Sequence, residues 1–92
     1  MYDREMLRKE VARQINIYDD FCGVFGTPTE AFEDKRRALY VIGKALVMSD
    51  TQLQFNCNVV YQFRTLEHTN VPKLVDKWCK RHGIELLNME GI

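Results

Sequence analysis

The sequence predicts a small α+β domain with two N-terminal helices, a β-strand or hairpin at about residues 52–64, a third helix and a short C-terminal strand. Three observations lead to this fold class. Apolar and polar residues alternate from 52 to 64, and most of the remaining chain has an amphipathic helical pattern. The length of 92 residues suffices for one domain and not for two. We therefore interpret residues 1–92 as a single domain.

The first predicted helix runs from about Asp3 to Cys22. Its apolar residues recur every three or four positions and so share one face: Leu7, Val11, Ile15, Tyr18 and Cys22. Asp3 is a suitable N-cap, and Gly23 stands where a helix commonly ends in a left-handed conformation. The loop that follows is short and unusually apolar because it contains Val24 and Phe25.

The second predicted helix begins after Thr27, which has the spacing of a capping box with Glu30. It continues to about Met48. Its core-facing stripe contains Ala31, Phe32, Ala38, Leu39, Ile42, Ala45 and Leu46. Tyr40, Val41 and Met48 fall outside this stripe, so they either contact another element or face solvent.

The segment from Gln52 to Arg64 decides the fold class. Its alternate positions are apolar: Leu53, Phe55, Cys57, Val59, Tyr61 and Phe63. The residues between them are polar except for Val60, and a period of two places one side of a strand against the core. Three structures remain open. They are one long strand, a hairpin that turns at residues 56–58, and a buried helix with a capping box at Ser49, which would make the protein an all-α bundle of four helices.

The last predicted helix is capped by Thr69 or Asn70 and ends at Gly83. Its inward side contains Val71, Leu74, Val75, Trp78 and Cys79. Residues 84–87 predict a short second strand, and residues 88–92 predict a loose end. Two strands leave an exposed sheet edge, which favours pairing with another chain. Either the first or second helix covers this edge, or a second copy of the chain pairs with it to form a homodimer.

The charge balance argues against two classes of function. The chain has 13 Lys and Arg against 13 Asp and Glu, which fits neither a protein that lives on DNA nor an acidic mimic of DNA. Its three cysteines are widely spaced and follow a charged N-terminal stretch, which predicts reduced thiols in the cytoplasm. No apolar run approaches the ~20 residues of a membrane span, so we expect no membrane contact.

No motif for catalysis, metal binding or nucleotide binding has useful specificity. Cys79 and His82 have the spacing of a metal-ligand pair, but zinc usually needs two such pairs and the chain has one. None of the cysteines follows the pattern of an activated nucleophile. We therefore expect no catalytic residue, no metal, no cofactor and a function that is not enzymatic.

Apolar side chains without an evident place in a small core carry the best functional signal. Val24, Phe25, Tyr40 and Met48 are the predicted partner-binding residues, because aromatic and methionine side chains often anchor protein interfaces. The sequence thus predicts a small protein–protein interaction module whose partner is another protein. Small intracellular chains without motifs are often accessory factors or inhibitors, including ones encoded by phages or plasmids.

The alternative function is nucleic-acid binding through basic helix faces. Its candidate residues are Arg8, Arg13, Lys73, Lys77 and Arg81. Acidic residues accompany the basic ones on the first two helices, which is typical of a solvated helix surface. Nucleic acid is therefore the less favoured partner.

Overall fold

The computed structural model describes residues 2–26, 28–84 and 86, and these form an all-α structure. Its four helices are α1 (Arg4–Phe25), α2 (Glu30–Val47), α3 (Gln52–Phe63) and α4 (Val71–Arg81). About three quarters of the described residues are helical, and none of them belongs to a strand. The predicted α+β fold is therefore wrong, and the alternative of four helices is the observed architecture.

The helix α2 is the central element, and each of the other three helices packs against it. Its buried residues are Ala38, Leu39, Val41, Ile42, Ala45 and Leu46. Val41 joins this set although the sequence pattern placed it off the stripe. The backbone oxygen of Val41 accepts a hydrogen bond from Gln62 of α3, so a second helix covers this side of α2. A helix that packs against neighbours on several sides needs a wider apolar stripe than a helix with a single neighbour.

The arrangement of residues on α3 explains why the alternating pattern wrongly predicted a strand. Residues four positions apart share a face of a helix. The buried stripe of α3 contains Phe55, Val59 and Phe63, each without exposed surface. A second, exposed stripe contains Leu53, Cys57 and Tyr61. Both stripes are apolar and are offset by two residues, so together they imitate the period of a strand.

A capping box starts α3. The Thr51 hydroxyl accepts from the Gln54 backbone N–H at 3.2 Å, and the Gln54 side-chain oxygen accepts from the Thr51 backbone N–H at 3.1 Å. This box lies two residues beyond the one proposed at Ser49. Ser49 is instead fully buried, and its hydroxyl accepts from the Asn58 amide at 2.8 Å. The hairpin turn predicted at residues 56–58 lies in the middle of α3.

The helix α1 is almost a turn longer than predicted. It continues through Gly23 to Phe25, and Gly26 ends it with a φ of 76°. That conformation favours glycine, and the Gly26 N–H donates to the Cys22 carbonyl at 2.9 Å. The extension places Val24 and Phe25 on a helix rather than in a loop.

The helices α2 and α4 begin close to their predicted starts. Thr29 caps α2, because its hydroxyl accepts from the Phe32 N–H at 3.1 Å. The predicted cap, Thr27, lies outside the described residues. Asn70 precedes α4, while the Thr69 hydroxyl accepts from the Val71 N–H at 3.1 Å. Threonine thus supplies the cap oxygen in both places.

The described residues of the C-terminal segment contribute to the core and do not form a strand. Ile84 and Leu86 are buried, and neither belongs to a strand. The Ile84 N–H donates to the Cys79 carbonyl at 2.8 Å, so the chain turns back directly after α4. Residue 85 and residues 87–92 lie outside the described part of the chain, and these include the rest of the predicted strand and the predicted loose end.

Candidate interaction surfaces

The four predicted partner-binding residues do not form one surface. Val24 and Phe25 lie together at the end of α1 and expose 74% and 72% of their surface. Tyr40 lies in the middle of α2 and contacts α1 through Asp19. Met48 is exposed at the C-terminal end of α2. The structure therefore brings together only the first pair.

Val24 and Phe25 belong to an apolar cluster where α1 leads into α2. We call it the aromatic tip, and it contains Tyr18, Phe21, Val24, Phe25 and Phe32. The Phe21 ring centroid lies 4.9 Å from that of Phe25 and 5.1 Å from that of Phe32. The Phe32 centroid lies 4.8 Å from that of Tyr18. Tilted pairs at these distances are favourable, and Tyr18 and Phe32 are half-buried. Tyr18 and Phe32 thus fix the tip to the rest of the molecule, and its exposed surface is apolar.

The charged residues that flank the aromatic tip along the chain are acidic. Between residues 17 and 32 the sequence contains Asp19, Asp20 and Glu30 but no Lys or Arg. Arg36 neutralises Asp19 through an ion pair of 2.9 Å. Asp20 and Glu30 are exposed and make no salt bridge with any described residue. The exposed end of the tip at Val24 and Phe25 therefore has acidic neighbours along the chain, whereas Tyr18 at its other end also lines a cleft with Lys35 of α2.

Tyr40 links α1 to α2. Its hydroxyl lies 2.7 Å and 2.9 Å from the two carboxylate oxygens of Asp19, and the Arg36 Nε donates to Asp19 at 2.9 Å. The hydrogen bonds from Tyr40 and Arg36 lower the pKa of Asp19, and the bond to Asp19 raises the pKa of Tyr40. The contacts of Tyr40 are internal, and its role as a partner anchor stays a prediction.

Replacing Tyr40 with phenylalanine is expected to raise the pKa of Asp19 toward its ordinary value, because the hydroxyl is the largest cause of the lowering. A depressed folded-state pKa stabilises the fold above the unfolded-state pKa, and this stabilisation is lost as the pH falls through the folded-state value. The variant should therefore lose less stability than the wild type on acidification. NMR titration of the Asp19 carboxyl carbon measures the shift, with Tyr18→Phe as the control. An unchanged Asp19 titration in Tyr40→Phe would contradict the prediction.

Two of the predicted nucleic-acid residues lie at one cleft between α1, α2 and α4. Lys77 and Arg81 of α4 meet Lys35 of α2 there, and the cleft encloses about 220 Å³. We call it the basic cleft. No acidic residue lines it, and none of the three cations has an ion-pair partner within the described ranges. Trp78 lines the cleft too, and its buried indole nitrogen has no hydrogen-bond partner there.

The other predicted nucleic-acid residues do not reach the basic cleft. Arg8 lines a separate groove between α1 and α2 of about 570 Å³. Arg13 forms an ion pair of 2.8 Å with Glu10, and the hydrogen bonds from Arg13 and, to a lesser extent, Gln14 lower the pKa of Glu10 to about 2. Lys73 is exposed on α4 but does not line the cleft. The five residues therefore do not form one continuous basic surface.

Cys79 and His82 contribute to the packing around α4. Cys79 is fully buried, and burial raises the pKa of its thiol to about 12. The ring of His82 packs on Trp78 with centroids 4.2 Å apart. No cluster of three or more His, Cys, Asp and Glu side chains suited to a metal ion occurs in the described part of the molecule.

The exposed stripe of α3 is a second apolar surface, and none of its residues is among the predicted partner-binding residues. We call it the α3 face, and it contains Leu53, Cys57 and Tyr61. Leu53 and Tyr61 expose 67% and 70% of their surface. The segment from 52 to 63 contains no charged residue, a signal that was visible in the sequence. The prediction of a strand hid it, because a strand would have buried all three residues.

Comparisons with known proteins identify no relative of this chain: no protein-family model, curated protein or solved structure matches it. None of the described helices combines the length and the apolar character that crossing a membrane requires. An exposed sheet edge was the reason to expect a homodimer, and it no longer applies because the described residues contain no strand. The function is therefore inferred from the surfaces themselves.

Proposed function

We propose that the protein is a non-catalytic, cytoplasmic interaction module that binds another protein through the aromatic tip. The single observation that carries this proposal is the joint exposure of Val24 and Phe25 at one end of the molecule. With Phe21 and the nearby Ile17, which is 55% exposed, they present roughly 400 Å² of apolar surface. Patches of this size on small proteins are often functional, and aromatic residues often supply their binding energy.

The border of the aromatic tip indicates the chemistry of the partner. Asp20 and Glu30, which make no salt bridge with a described residue, supply negative charge, and the last carbonyl groups of α1 add a partial negative charge. We therefore expect an apolar pocket on the partner with Lys or Arg at its edge. A second copy would oppose one acidic border with another, which disfavours self-association at this surface. Occupying a pocket on the partner is a steric mechanism, as expected for an accessory factor or inhibitor.

Affinity capture from a nuclease-treated native extract tests the proposal. The wild type, Phe25→Ser and Leu53→Ser are compared, since Leu53 is similarly exposed but lies on the α3 face. We expect one stoichiometric protein with the wild type and with Leu53→Ser. With Phe25→Ser its affinity should fall about 10- to 100-fold, because an interface anchor is lost. Calorimetry with the purified partner measures this difference.

Two outcomes would contradict binding at the aromatic tip. One is a partner whose affinity is the same for Phe25→Ser and the wild type. The other is a capture that yields only nuclease-sensitive material. Circular dichroism of Phe25→Ser provides the folding control, and an unchanged spectrum is expected because Phe25 is mostly exposed.

The basic cleft supports nucleic-acid binding as a second candidate function. Three cations that pair with no described acidic residue suit a phosphate group, and the exposed Lys73 lies on the same helix as two of them. Binding by this surface should weaken steeply as salt rises. Lys77→Glu should reduce binding to labelled DNA and RNA, while Lys44→Glu, outside the cleft, should leave it unchanged. Equal effects of both variants would exclude the cleft as the site.

A further inference from the structure

The outward side of α3 has an unusual composition for an exposed helix surface. Surface helices normally place charged residues opposite their buried stripe, and α1, α2 and α4 do so. The helix α3 contains no charge and instead exposes the Leu53, Cys57 and Tyr61 side chains. The centres of protein interfaces are likewise depleted in charged residues and enriched in aromatic ones. The α3 face is therefore suited to burial against another surface.

The residues of the α3 face are symmetric about Cys57. Leu53 precedes Cys57 by four positions, and Tyr61 follows it by four. Charged residues stand just beyond the two ends of the helix: Asp50 directly precedes the N-cap Thr51, and Arg64 is the C-cap. When two copies cross antiparallel at Cys57, Leu53 of one copy meets Tyr61 of the other. A surface that matches itself in this way satisfies the requirement of a two-fold symmetric interface.

The charges at the two ends of the α3 face are complementary. Asp50 is 81% exposed at its side chain, and a single one of its oxygens bonds to Arg4, at 2.6 Å. At the other end, the Arg64 guanidinium lies 5.5 Å from the centre of the Tyr61 ring. Lys44 lines a pocket together with Tyr61 and Arg64. An antiparallel arrangement brings the acidic end of one copy to the basic end of the other, which favours pairing of two identical chains.

We propose that a second copy of this chain covers the α3 face, with the two-fold axis passing between the two Cys57 residues. Side chains spaced by four form the ridges that pack at a crossing angle of about −50°. The helices then touch over about two turns, from Leu53 to Tyr61, and Asp50 and Arg64 lie at the rim of the contact. Such a contact buries roughly 400–500 Å² per copy, less than the ~800 Å² per partner of a standard interface. The homodimer is therefore weak and concentration-dependent. It uses a surface separate from the aromatic tip and does not rest on the proposed function.

Sedimentation equilibrium from roughly 1 μM to 1 mM tests the homodimer. Leu53→Glu places a charge on the α3 face, and Val24→Glu places the same charge on a similarly exposed site of the aromatic tip. We expect reversible dimerisation of the wild type and of Val24→Glu. The dissociation constant of Leu53→Glu should rise about tenfold or more, because each copy would bury an unpaired charge. A wild type that stays monomeric over this range would overturn the proposal, as would a dimer disrupted only by Val24→Glu.

Disulfide formation at Cys57 tests the position of the axis. In aerated buffer with copper–phenanthroline, the two Cys57 thiols lose two protons and two electrons to the oxidant and form one intermolecular bond. We expect a covalent dimer from the wild type and from Cys22→Ser but not from Cys57→Ser. Cys79 should not compete, because it is buried and its thiol pKa is raised to about 12. A covalent dimer that persists in Cys57→Ser, or its absence in the wild type, would place the axis elsewhere.

Charge reversal tests the antiparallel register. Arg64→Glu should weaken dimerisation, because it brings two carboxylates together at each end of the α3 face. Adding Asp50→Lys in the same chain restores opposite charges and should recover most of the lost affinity. Circular dichroism provides the folding control, because Asp50 also binds Arg4. If the double variant is no better than Arg64→Glu alone, these two residues do not meet across the axis.

Discussion

Replacing Phe55 with alanine is expected to reduce the free energy of unfolding by about 3–5 kcal/mol, whereas Leu53→Ala should change it by less than about 0.5 kcal/mol. Phe55 has no exposed surface, and its ring centroid lies 6.0 Å from that of Tyr2. Removing the ring loses its burial and leaves a cavity that the surrounding helices fill only in part. Leu53 is 67% exposed, so little buried contact is lost there.

Urea unfolding followed by circular dichroism measures both changes. A domain of this length is expected to have a total stability of only about 5–14 kcal/mol, so Phe55→Ala removes a large part of it. The pair also tests the structure of the segment. Residues 53 and 55 share a face in a strand but lie on different sides of a helix. Equal losses in the two variants would contradict α3.

Replacing Arg4 with alanine is expected to cost about 2 kcal/mol, because one side chain ties the start of α1 to the end of α2. Its Nε donates to the Leu46 carbonyl at 3.0 Å, and its Nη2 donates to the Val47 carbonyl at 2.8 Å. Its Nη1 binds Asp50 at 2.6 Å. The last carbonyl groups of a helix lack partners within the helix, so Arg4 acts as a cap supplied by another element.

Thermal and urea unfolding of three variants separate the cap from the charge of Arg4. Arg4→Lys keeps the charge but has no planar fork to reach three acceptors, so it should recover less than half of the loss. Arg8→Ala, one turn further along α1, is the control. Arg8 is exposed and makes no salt bridge with a described residue, so its removal should have almost no effect. Full recovery by Arg4→Lys would assign the effect to charge alone.

Three of the four helices could be predicted from the sequence, because each has one buried side and one charged side. The segment 52–63 lacks that contrast. Its polar residues are amides, and apolar residues occupy both its buried and its exposed stripe. Assigning a helix or a strand from periodicity depends on a contrast between an apolar and a polar side. The assignment fails when both sides are apolar. The capping pair of Thr51 and Gln54 was the local signal for a helix.

The candidate surfaces could be predicted only in part. The exposure of Val24 and Phe25 follows from apolar residues at a helix end, where few core positions are available. The connection of Tyr40 to Asp19 and the separation of Met48 depend on how α1 lies against α2. The meeting of Lys35 with residues of α4 likewise depends on tertiary packing, because these residues lie about 40 positions apart in the chain.

The central position of α2 has a kinetic consequence. Two of its three packing partners, α1 and α3, are its neighbours along the chain, so these contacts form by closing short connections. Closing a short loop costs little conformational entropy, and chains dominated by local contacts fold quickly. Only α4 must reach α2 across an intervening helix. Because α4 carries Trp78, the single tryptophan of the chain, indole fluorescence reports the docking of the helix with the most distant contacts.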